Sequence, residues 1–203
     1  MGDATTATLA SAATLAFVAA IVLLVWAHLV PSGYGAVRDA VSHYGASRYH
    51  PLYRLMVISM GLGALLLALA LARSTALPGA RLAWLWIFAA TRIAIAAFMA
   101  DDPHAPPTRT GRVHVALAAG AFACIAFASV EIAAALSKQA GWSQIDPLLW
   151  AISIAVVVFA VLTLVCRTNR RAAAYFGAVE RLLYLAMFGW LLTVTLHLLS
   201  LSG

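Results

Sequence analysis

The chain reads as an all-α, polytopic integral membrane protein, a bundle of six transmembrane helices, and three observations predict this. Of its 203 residues, 64% are hydrophobic and only 10% are charged. The mean hydropathy is +0.95, a balance that belongs to a membrane protein rather than to a water-soluble globule. The apolar residues also gather in six runs of roughly 20, the length that crosses a bilayer as a helix. Such a chain is a multi-pass protein of the cell's inner (plasma) membrane, and its first partner is membrane lipid.

The first span is expected over about residues 9–30. It lacks a basic leader and is too long for a signal-peptide core, so it is read as a retained helix. A loop rich in Gly and Ser follows, and the second span covers about 51–72. Pro78-Gly79 turns the chain into the third, about 82–100, which Arg92 interrupts. The fourth runs over about 113–136 and carries Glu131 near its far end. Asp146-Pro147 leads into the fifth, about 148–166. The basic segment from Arg167 to Arg171 then precedes the sixth, about 179–199. No soluble domain or repeat is visible, so residues 1–203 form one transmembrane domain.

Charge sets the orientation. The net charge of +6 comes from twelve arginines and Lys138; in this setting it reports topology and anionic headgroups, and no nucleic acid is expected. Connections one, three and five carry nine of the basic residues; the termini and the other two connections carry Arg73, Arg81 and Lys138. The positive-inside rule places the three basic connections in the cytoplasm and both termini outside. Cys124 and Cys166 lie inside apolar runs and offer no disulfide framework.

One connection concentrates the chemistry. Residues 99–114 hold Asp101, Asp102, His104, Arg109, Arg112, His114 and prolines 103, 106 and 107. The prolines stop the third helix and keep the chain extended. Thr108 or Thr110 can cap the fourth. Asp101 and Asp102 are expected to close the last turn of the third helix. The macrodipole disfavours acids there, so they need a donor: His114, Ser42 or an arginine of the first connection. Ser42, His43, His50 and His28 belong to the same membrane face, and ionisable groups at such depth face a pocket or one another.

Two functions from different classes fit. In one, a small membrane enzyme acts on a lipid or isoprenoid, with Asp101 and His114 as acid/base pair, Asp102 and Ser42 beside them. Two close carboxylates cannot both ionise easily, so one could stay protonated as a general acid. Arg38, Arg109, Arg112, His43 and His104 would bind the small hydrophobic ligand's polar end. In the other, the Asp-Pro-Pro-Thr-Gly-His stretch is a structural clasp between the third and fourth helices, a role that needs no substrate. Trp26, Tyr34, Tyr44 and Phe98 could line a pocket, but an interfacial aromatic belt explains them better. No cofactor is implied; His43, His50, His104 and His114 are weak zinc candidates without metal-ligand spacing. Arg92 should pair with a carboxylate of the central stretch or with a helix C-terminus. Glu131 and His197 are expected as a structural pair near the far interface, and Glu180-Arg181 as a solvated opening to the last span.

The residues 38–45, 98–101 and 105–114 together resemble the bacterial membrane family called domain of unknown function 998, grouped with Frag1-like proteins. The resemblance rests on Asp101, Pro106, Pro107, Thr108, Gly111 and His114, with Ser42, Tyr44 and Gly45 in the first connection. It implies a fold and no activity. A weaker similarity, to the zinc-dependent ceramidase and adiponectin-receptor amidases, implies a zinc-bound water attacking an amide. The late His-x-x-x-His pair of that superfamily is absent here.

Overall fold

A computed structural model describes residues 4–75 and 77–202. The described residues form α1 (Ala4–Leu29), a 3-10 turn (Val41–Ala46), α2 (His50–Ser74), α3 (Gly79–Ile95), α4 (Arg109–Leu136), α5 (Asp146–Thr168), a second 3-10 turn (Ala173–Tyr175) and α6 (Phe176–Ser202). Pro51 and Pro147 sit in the first turns of α2 and α5, where a missing N–H costs nothing. Gly141, at φ 91°, supplies the left-handed turn between α4 and α5.

Each helix packs against its neighbours in the chain, and α6 returns to α1, so the bundle closes as a ring in sequence order. α2 and α6 turn inward, with 56% of their apolar windows buried against 22% for α1 and α5. Close approach to α2 is made possible by glycine. A Cβ on Gly63 would lie 2.6 Å from the Phe17 ring of α1, and one on Gly61 2.9 Å from the Ala89 carbonyl of α3, the small-residue device of helix packing in membranes. The outer surface keeps large apolar side chains in the open. Leu15, Leu29 and Leu185 are each 70% exposed or more, which suits lipid and not water.

Five helices are long and apolar enough to cross a membrane; α3, at 17 residues, falls just below that length. It also ends earlier than its hydropathy suggested. The helix closes at Ile95, and a turn over 96–98 follows. Asp101 and Asp102 therefore do not close its last turn but lie outside it, in the irregular connection, so no helix dipole opposes them.

Candidate functional site

The central connection is built on Thr108. Its hydroxyl accepts the Gly111 N–H at 3.0 Å, capping α4, and donates to Asp101 Oδ1 at 2.6 Å. The Thr108 N–H donates to Asp101 Oδ2 at 2.8 Å. Both oxygens of Asp101 are thus held by one residue across the prolines. Gly111 lies directly beneath the carboxylate: a Cβ there would collide with Asp101. His114 lies one turn further along α4, 1% exposed. Its Nδ1 contacts the Phe98 carbonyl at 2.7 Å; a carbonyl only accepts, so Nδ1 carries the proton. Asp101, Thr108 and Gly111 thereby brace the connection on the start of α4, and His114 reaches the turn that follows α3.

This differs from the expected pairing. No hydrogen bond joins Asp101 to His114, to Ser42 or to a first-connection arginine. Asp102 instead accepts the N–H of His104 at 2.9 Å, and its side chain is exposed. The Thr108 hydroxyl and N–H hold the Asp101 carboxyl below its ordinary range, the reverse of what a general acid at neutral pH requires.

The first connection is fastened to α6. Glu180, 4% exposed, accepts the Val41 N–H at 2.7 Å. Arg181 donates to His28 Nε2 at 2.6 Å, to the Asp39 carbonyl at 2.8 Å and to the Tyr44 hydroxyl at 3.1 Å. Gly177 admits the loop: a Cβ would meet the Ala36 carbonyl at 2.8 Å. Gly45 likewise lies against the Tyr53 ring. Glu180 and Arg181, expected in solvent, are structural anchors, because the loop backbone folds over them and needs their donors and acceptor. Of the first connection's motif, Tyr44 and Gly45 have packing roles, while Ser42 is partly exposed.

Deep in the ring, Arg92 is 1% exposed. Its partner is neither a carboxylate nor a helix end but the hydroxyl of Tyr184 on α6, at 2.9 Å. Tyr53, 2% exposed, stands 6.1 Å from His114, ring to ring. Among the described residues, the Nε of Arg92 and the Nε2 of His114 have no hydrogen-bond partner. Near the other end, Glu131 pairs with Arg81 at 2.6 Å rather than with His197, which contacts the Gly141 carbonyl at 2.7 Å. The signal for Arg92 was its place in an apolar run; nothing in the sequence singled out Tyr53 or Tyr184.

Two recesses open on the basic face. One, of about 450 Å³, is lined by residues that include His50, Arg54, Met99, Asp101, Asp102 and Thr108. The other, about 240 Å³, is lined by Arg38, Ala40, His43, Cys166, Arg167, Ala173 and Phe176. His43 Nδ1 stands 3.5 Å from Asp39 Oδ1, without the alignment of a hydrogen bond, and its ring tilts over Tyr34 at 5.4 Å. Burial lowers the His43 pKa, outweighing Asp39, and raises that of Tyr34. His104 on the central connection and Arg109 and Arg112 in the first turn of α4 are exposed, outside both linings. Among the described residues no three His, Cys, Asp or Glu side chains converge as metal ligands, so His43, His50, His104 and His114 are not brought together as a zinc site.

Neither a curated protein nor a solved structure matches the chain. The model of one family, described as protein of unknown function (DUF998), matches residues 11–197. That match takes in both connections, the buried arginine and all but the ends of the outermost helices, and the chain belongs to this family.

Proposed function

We propose that the protein crosses the plasma membrane six times and that its central motif is a clasp, not an acid–base pair. The observation that carries this reading is the double bond set between Asp101 and Thr108. A carboxylate whose two oxygens already accept from one neighbour, and whose pKa is lowered, is poorly placed to deliver a proton. His114 supports the same reading, since its Nδ1 proton goes to Phe98 in the turn that follows α3. The clasp fixes α3 against α4 and gives the basic face a rigid edge. Crossing by α3 is favoured by the ring order, because the polar residues of connections one, three and five then share one face.

A second reading has one specific support. The 450 Å³ recess beside Asp101 reaches the size of small-molecule sites and would admit the polar end of a lipid or isoprenoid. On that reading Asp101 shapes the recess and His50 and Arg54 meet the ligand.

Thermal unfolding of the purified protein in detergent tests the clasp. Asp101→Ala and Thr108→Val should each lower Tm, the latter through loss of a helix cap worth about 1 kcal/mol of stability. The double variant should fall short of the sum, because both changes remove one shared contact. Strict additivity, or an Asp101→Ala variant as stable as the wild type, would refute the clasp.

A further inference from the structure

The smaller recess differs from the clasp in its unused charge. Among the described residues, neither the Arg38 nor the Arg167 side chain has a hydrogen-bond or ion-pair partner, and both are exposed. Both line this recess with His43, Arg38 from the first connection and Arg167 from the end of α5. Of the acids nearby, Asp39 already accepts the Gly35 N–H at 2.7 Å, and Glu180, within the field of Arg167, accepts the Val41 N–H. Arg170 and Arg171 follow in the same connection and add positive field. The rest of the lining includes the apolar Ala40, Cys166, Ala173 and Phe176. The neighbouring surface of α5 is apolar and open: Leu162, Leu164 and Val165 are 40%, 62% and 41% exposed. Cations at the helix end above an apolar track have the polarity of a phospholipid, headgroup over acyl chain.

We propose that this recess binds the phosphate of an anionic glycerophospholipid, gripped by Arg38 and Arg167, with an acyl chain lying along α5. Arginine forks match phosphate oxygens in pairs, and basic pockets between membrane helices suit anionic headgroups. The volume of about 240 Å³ accepts a phosphate with its glycerol. The site is separate from the Asp101 clasp, whose loss would leave it in place.

Native mass spectrometry of the full chain, with phosphatidylglycerol or phosphatidylcholine added to the detergent, tests the proposal. The wild type should retain phosphatidylglycerol at least tenfold over phosphatidylcholine. Arg38→Gln with Arg167→Gln should abolish that preference, and Arg38→Lys with Arg167→Lys should restore part of it. Arg170→Gln with Arg171→Gln removes equal charge outside the lining and should keep most of it. A wild type without preference overturns the proposal whatever the variants do. Equal loss in both glutamine pairs also overturns it, reducing binding to net charge. Inorganic phosphate that displaces the lipid at low millimolar concentration would identify a free-phosphate site, against a lipid one.

Discussion

Asp101 and His43 show how two ionisable residues at one end of the bundle can act in opposite chemical settings. Thr108 lowers the Asp101 pKa from its ordinary 3.8 by bonding the charged form. A carboxylate depressed in the folded state contributes stability above its unfolded pKa. That contribution is lost as pH falls from 3.8 through the folded value. Burial lowers the His43 pKa from 6.5 by penalising the charged form. The folded protein then binds that proton less readily than the unfolded chain, so stability declines as pH falls from 6.5 towards the folded value. We expect the wild type to lose Tm relative to His43→Gln over that upper window, and relative to Asp101→Asn only below pH 3.8. Melting curves from pH 8 to pH 3 give both differences; a constant offset from the His43 variant would contradict the assignment. The residues of this face were legible in the sequence, since charges and prolines between apolar runs stand out. Their partners were not. Asp101 bonds seven residues ahead to Thr108 because the chain leaves α3 at Ile95, and no periodicity marks that exit.

The helices were legible for a similar reason: apolar length dictates them, and five of the six α-helices carry enough of it. What length could not give is how one helix recognises another. Arg92 on α3 reaches Tyr184 on α6 across the ring, and Phe122 of α4 meets that tyrosine edge-on at 6.0 Å. A tyrosine in an apolar run looks like core or belt, so its hydroxyl was invisible as a partner. Glu180 and Arg181 misled for the opposite reason: charges at a span's start usually face water, yet here a loop folds over them. The α3–α6 contact carries its own prediction. Tyr184→Phe keeps the ring and deletes the acceptor of a buried guanidinium, which should cost about 1.5–3 kcal/mol. Denaturation of Arg92→Met with Tyr184→Phe should recover part of that loss, because no unpaired charge remains. A Tyr184→Phe variant of wild-type stability would show that the bond holds nothing.

At the scale of the molecule, a closed ring in chain order makes one simple demand on topology. If every helix of the ring crosses, connections one, three and five share a side and the two between lie opposite. Arginine counting predicts that partition from composition alone, while the ring closure of α6 onto α1 came only from the structure. The element that decides the matter is α3, shorter than its companions yet holding Arg92 inside the ring. If it crosses, residues 75 and 104 are on opposite sides of the membrane; if it does not, they are on the same side. Single cysteines at Arg48, Thr75, His104, Lys138 and Arg170, in a background of Cys124→Ala and Cys166→Ala, can be labelled in intact cells with a membrane-impermeant maleimide. The account predicts labelling of Thr75→Cys and Lys138→Cys from outside, and of Arg48→Cys, His104→Cys and Arg170→Cys only after permeabilisation. Labelling of Thr75→Cys and His104→Cys from the same side would contradict the six-crossing ring.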